Sequence, residues 1–241
     1  MWYHRVRRAA LAASATLSFV FLFAIVALAQ EANPAGLPDK RQNAPGQFDF
    51  YVLALSWSPT FCEEQRERGV RKADPQCGRP LAFVVHGLWP QYEQGFPSYC
   101  QVPAPKLDRA QIGRALDLMP SPSLVLREWD RHGTCSGLAA AAYFETARKA
   151  RALIKIPADY LEPTAPASVT PDEIAEAFVK ANPGLSRDGM AVACDKTRLT
   201  EVRVCVAKDF TFHACPDVAR HACTREKIAM PAMRSEHAAA Q

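Results

Sequence analysis

The sequence predicts an α+β domain, and three observations carry that prediction. Segments of strand character and segments of helical periodicity alternate irregularly along the 241 residues, not in the regular strand–helix repeat of a parallel sheet. No glycine-rich dinucleotide or phosphate loop opens a helix, which argues against a doubly wound nucleotide-binding sheet. All eight cysteines, at 62, 77, 100, 135, 194, 205, 215 and 223, follow an export-type N-terminus. An even number of cysteines in an exported chain implies a disulfide framework.

Residues 1–29 open with Arg5, Arg7 and Arg8, continue as an apolar run from Ala9 to Leu28 and close on Ala27-Leu28-Ala29. This is the pattern of a cleaved secretory signal. The run is also long enough to span a bilayer at roughly 20 residues, but the Ala-x-Ala ending and the interior Ser14, Thr16 and Ser18 favour cleavage over anchoring. Residues 30–47, punctuated by Pro34, Gly36, Pro38, Pro45 and Gly46, read as a flexible lead. The domain proper spans residues 48–226. A strand runs to about Ser56, and a short apolar strand, Leu81 to Val85, delivers His86 at its mouth, where Gly87 lets the chain turn. A helix from about Asp108 to Leu118 stops at Met119-Pro120, and the next helix carries Glu128. Further helices are expected from Ala139 to Ile154 and from Pro171 to Ala181. The second of these opens with a capping residue, a first-turn proline and a capping-box glutamate in Thr170-Pro171-Asp172-Glu173. Met190 to Cys194 and Leu199 to Ala207 read as strands, and residues 227–241 as a frayed tail.

Two segments concentrate the chemistry. Phe83-Val84-Val85-His86-Gly87-Leu88-Trp89-Pro90 and Leu126-Arg127-Glu128-Trp129-Asp130-Arg131-His132-Gly133-Thr134-Cys135 supply two imidazoles, one carboxylate and two guanidiniums. In a helix, Arg127 and Arg131 stack one turn apart, as do Glu128 and His132, and Gly133 would end that helix. Glu128 is then placed to orient His132 and raise its proton affinity, while the arginines stay charged and fork onto phosphate oxygens. Such a set can cleave RNA without a metal. RNA brings its own 2′-hydroxyl nucleophile, so it needs only a base, an acid for the leaving 5′-oxygen and cations for the phosphorane. Taken singly, each residue has a duller reading: a hydrogen-bonded structural histidine, a solvated helix ion pair, a core tryptophan. Trp129 is assigned to the core.

The joint pattern, His-Gly-Leu-Trp-Pro followed about forty residues later by Glu-Trp-x-Arg-His-Gly-Thr-Cys, resembles the two active-site signatures of the ribonuclease T2 family. The resemblance extends from Phe48-Asp49-Phe50-Tyr51-Val52-Leu53-Ala54-Leu55-Ser56-Trp57-Ser58-Pro59 through Cys135-Ser136-Gly137-Leu138 to the paired C-terminal cysteines. It implies a mainly antiparallel sheet with helices packed around it. His86 and His132 match the family's acid/base histidines, with His132 the expected base and His86 the expected acid. Glu128 matches its carboxylate, and Arg131 its phosphate-stabilising cation. Where many members have a third histidine this chain has Arg127, which offers a cation but exchanges no protons. The resemblance further implies the bridges Cys62–Cys77, Cys100–Cys135, Cys194–Cys223 and Cys205–Cys215, a choice that spacing alone leaves open. Trp89 is the expected base-stacking residue, with Gln91, Tyr92 and Trp57 as secondary candidates.

Without residues 1–29, which hold three arginines and no acid, the formal net charge falls from +4 to +1. Any site for a polyanion must therefore be local, around Arg127 and Arg131. The expected protein is a secreted or periplasmic monomer acting on single-stranded RNA through a 2′,3′-cyclic phosphate, without a cofactor. Two other readings compete. One is an RNA- or partner-binding protein with catalysis weakened at Arg127. The other is a zinc hydrolase built on the interleaved Cys205, His213, Cys215, His221 and Cys223, against which oxidising export and the lack of a tight Cys-x-x-Cys pair both count.

Overall fold

A computed structural model describes residues 43–233; the expected signal, residues 1–29, lies outside the described residues. Its centre is a four-stranded antiparallel sheet in the order β2-β1-β5-β4, built from β1 (Phe50–Trp57), β2 (Phe83–Gln91), β4 (Met190–Cys194) and β5 (Leu199–Val206). The alternating side chains of β1 divide the sheet into two faces. Tyr51, Leu53, Leu55 and Trp57 enter the main core with Val85, Leu88, Val202, Val204 and Val206. Phe50 and Val52 point the other way and pack with Cys205, Cys215 and Trp89.

Helices α2 (Arg109–Ala115), α3 (Pro122–Arg131), α4 (Ala140–Leu153) and α5 (Pro171–Ala181) pack on the first face, α1 (Ser58–Glu67) follows β1 directly, and the short α6 (Pro216–Ala219) turns Val218 to the second face. The capping box expected before α5 is formed by Thr170 and Glu173, and a second joins Asp108 and Gln111 at the start of α2. Tyr143 of α4, fully buried, donates its hydroxyl to the Leu88 carbonyl at 3.0 Å and so fixes that helix to β2. Four disulfides, Cys62–Cys77, Cys100–Cys135, Cys194–Cys223 and Cys205–Cys215, join the pairs that the family resemblance implies. Cys205, Cys215 and Cys223 are thereby spent as thiolates, which dismantles the zinc cluster considered from the sequence.

Four local expectations need correction. Strand β2 does not stop at Val85 but runs on to Gln91, so His86 is not at a strand mouth. Leu55 faces Val85 and Ala54 faces Gly87, which leaves His86 as the extra residue of a bulge; a bulge re-aims a side chain without ending the strand. Gly133 does not terminate α3: the helix ends at Arg131, His132 is its cap, and residues 133–136 continue as a 3₁₀ turn closed by left-handed Gly137 (φ 72°). Gly133 is glycine for room, since a Cβ there would lie 2.4 Å from the Trp129 ring.

The other two corrections concern the ends of the domain. Ile228–Met230 is not frayed tail but strand β6, antiparallel to β3 (Ala167–Val169), with Ile228 and Met230 buried. The described part of the expected flexible lead is docked, because Gly46 donates its amide to the Cys135 carbonyl at 2.9 Å. Among the described residues no helix is long and apolar enough to cross a membrane.

Candidate active site

Helix α3 buries Leu124, Val125, Glu128 and Trp129, one stripe at helical spacing. Glu128 therefore enters the protein from a helix face that is otherwise apolar. Trp129 completes that stripe as core and donates its indole to the Pro105 carbonyl at 2.7 Å. The buried carboxylate of Glu128 is met from β2: Trp89 donates its indole N–H to Oε2 at 2.8 Å, and His86 Nε2 lies 3.4 Å from Oε1. Gly87 makes this approach possible, because a Cβ there would fall 2.1 Å from the Glu128 carboxylate.

His86 is held at its other nitrogen as well. Nδ1 bonds to Glu201 of β5, and Arg203, two residues on along the same face, donates to the second Glu201 oxygen at 2.9 Å. The Arg203 guanidinium also sits 5.4 Å from the Trp89 ring centre. Burial alone would lower the proton affinity of His86. The two carboxylates, Glu128 and Glu201, outweigh it and lift the pKa to about 10. Glu201, which burial would raise, is instead held below the usual carboxylate range by His86 and Arg203.

His132 has the opposite environment. Its ring stacks on Trp89 at 5.2 Å and 28°, and its Nδ1 is buried with no hydrogen-bond partner among the described residues. Burial, helped by the charges of Arg131 and His86 and opposed by Glu128, pushes its pKa down to about 4. The backbone around it is fixed: Tyr99 donates its amide to the Arg131 carbonyl and Thr134 its hydroxyl to the Asp130 carbonyl, both at 2.9 Å, and the Cys100–Cys135 bridge follows.

Both imidazoles open onto one groove of about 500 Å³, with Trp89, Gln91, Phe96, Glu128, Arg131, Glu201, Arg203, Asp217 and His221 around them. The sequence profile of the ribonuclease T2 family matches residues 48–215. This chain belongs to the ribonuclease T2 family. A ribonuclease of Aeromonas hydrophila is 45% identical over 107 residues, 44% of this chain and 46% of that one. The chain spans about half the length of the curated relatives it matches. Among solved structures, an RNase-related protein from Calystegia sepium shares the fold with a TM-score of 0.61 at 24% identity, over 78% of this chain and 98% of that one. RNase NT, solved in complex with 5′-AMP, gives 0.56 at 25% identity, over 77% and 98%.

In this T2-family groove the residues expected from the sequence separate into two groups. His86, Glu128, His132, Arg131, Trp89 and Gln91 come together. Glu128, however, holds His86 and Trp89, not His132, because His132 has left the helix as its cap. Arg127 is exposed one turn back along α3, about 6 Å along the axis, and does not line the groove. Trp57 and Tyr92 are not base-site residues. Trp57 is fully buried with its indole on the Pro231 carbonyl at 3.0 Å, and Tyr92 belongs to the core. Glu201, Arg203, Phe96 and Asp217 were not anticipated, and His221 was expected only as part of the zinc cluster. A signal for the first two existed in Leu199-Thr200-Glu201-Val202-Arg203-Val204-Cys205-Val206, where two charges alternate with valines on a strand otherwise fit for burial.

Proposed function

We propose that this protein is an endoribonuclease that cleaves single-stranded RNA by transphosphorylation through a 2′,3′-cyclic phosphate. The observation that carries this reading is the pair of imidazoles in one groove whose surroundings drive their proton affinities apart, to about 10 for His86 and about 4 for His132. Such divergence supports a reading of one imidazole as acid and the other as base. His132 is neutral at working pH, and with Nδ1 buried it takes the 2′-hydroxyl proton through Nε2. The 2′-oxygen then attacks phosphorus, the P–O5′ bond breaks, and protonated His86 gives its proton to the departing 5′-oxygen. Water adds to the cyclic phosphate by the reverse proton traffic.

Arg131 at the groove is the cation for the phosphate oxygens, charged at any working pH. The Trp89 ring and N–H are already engaged by His132, Arg203 and Glu128, so the open aromatic surface for a base is Phe96, 47% exposed with the Arg131 guanidinium 5.9 Å from its centre. The nucleotide complex of RNase NT supports a nucleotide-sized occupant for such a groove. Export to an oxidising compartment, supported by the four bridges, and action as a monomer complete the reading.

The test is incubation of the purified, disulfide-intact protein with a single-stranded RNA in excess chelator. Fragments ending in 2′,3′-cyclic phosphate are expected, with no cut at a position carrying 2′-deoxyribose. Activity that appears only on adding a divalent metal, or equal cleavage of DNA, overturns the proposal.

A further inference from the structure

The contacts around His86 form a closed circuit across three elements. Nδ1 meets Glu201 on β5; Glu201 is gripped by Arg203; Arg203 lies over Trp89 on β2; the Trp89 indole donates to Glu128 on α3; and Glu128 returns to Nε2 of His86. The remaining charged or titratable groups lining the groove with this imidazole, among the described residues, are His132, Arg131, Asp217 and His221. The two ends of the ring are not equivalent. The Nε2 contact with Glu128 is loose at 3.4 Å, whereas the Nδ1 contact with Glu201 is tight and made by a carboxylate that is itself buried and braced.

We propose that Glu201 is the positioning residue of His86: it keeps the proton on Nδ1 so that Nε2 is the nitrogen presented to the scissile phosphate, and Arg203 holds Glu201 in that role. The bulge at His86 turns the ring toward the groove, but a bulged residue has no partner across its own ladder to fix its side chain. Glu201 lies two strands away, across β1, where Ser56 faces both Val84 of β2 and Glu201 of β5. It can therefore tie the ring from the far side of the central strand. A second carboxylate also settles how one imidazole stays charged while its Nε2 leaves Glu128 to meet the substrate, since the Nδ1 partner persists through that exchange.

This inference rests on the endoribonuclease reading, and two kinds of measurement separate them. In Glu201→Gln, which keeps the shape and removes the charge, the alkaline limb of the kcat/KM profile should move down by about one pH unit or more, the usual effect of losing an opposite charge at hydrogen-bond distance. KM at neutral pH should change little, and Glu201→Asp should restore part of the shift. The His86 titration followed by ¹⁵N chemical shifts without RNA should fall in parallel. The unsubstituted protein supplies a readout that does not depend on a variant folding. As His86 titrates, its ¹⁵N shifts should show Nε2 losing the proton and Nδ1 keeping it. A folded Glu201→Gln with unmoved pH limb and unmoved His86 titration, or a neutral His86 carrying its proton on Nε2, overturns the assignment. Correct ¹⁵N behaviour in a protein that cuts no RNA would sink the proposed function and leave the positioning intact.

Discussion

At the scale of single residues, the two histidines should make both the rate and the stability of the protein depend on pH. With His132 as base and His86 as acid, kcat/KM should be flat between the two pKa values, falling as pH drops through about 4 and as it rises through about 10. The stability terms have opposite signs. His132 binds its proton less well folded than unfolded, so its contribution is complete above the ordinary value near 6.5 and is lost as pH falls through about 4. His86 binds its proton better folded, so its contribution is complete below about 6.5 and is lost as pH rises through about 10. Urea unfolding from pH 4 to 10 should show stability declining on both sides of neutrality, and His86→Asn should flatten the alkaline side. Replacing either histidine by alanine should cost on the order of 10²-fold or more in turnover. Arg131→Ala should raise KM for RNA, whereas Arg127→Ala, removing a side chain away from the groove, should leave it nearly unchanged; equal effects would return Arg127 to the site. His86, Glu128 and His132 were legible because their neighbours in the sequence form a motif. Glu201 was not, because its meaning lies in Nδ1 of a residue 115 positions away.

At the scale of elements, α5 was readable to the residue because its capping box and first-turn proline are written locally. β6 was not. Three residues have no period, and what makes them a strand is β3, about sixty residues upstream. Ile228→Ala should cost roughly 2–5 kcal/mol, the usual price of truncating a buried aliphatic side chain, measured by urea unfolding; a cost near zero would restore the frayed-tail reading. The extension of β2 was hidden for a different reason. His86-Gly87 looks like punctuation, yet here the histidine is the bulge and the glycine makes room for Glu128. Gly133→Ala should be destabilising by about 1–3 kcal/mol through overpacking against Trp129.

At the scale of the molecule, two disulfides tie the C-terminal region to β4 and β5, and Cys100–Cys135 joins the loop before α2 to the turn after His132. Reduction should lower stability by roughly 2–4 kcal/mol per bridge, followed by urea unfolding with and without reductant. The paired change of Cys100 and Cys135 to alanine should also lower kcat, because Cys135 lies in the turn that follows His132.

The strand order carries one more consequence, about time. Among the described residues β1 is the first strand made, and it lies between β2 and β5, whose residues follow nearly 150 positions later. A polypeptide halted on the ribosome before residue 199 already possesses both imidazoles and Glu128, but not the carboxylate and guanidinium that clamp His86. Pairings of such long sequence separation form late and slowly. The complete constellation of groups therefore exists only in a chain whose synthesis has passed β5, and a half-made copy beside its own messenger carries His86 without its clamp.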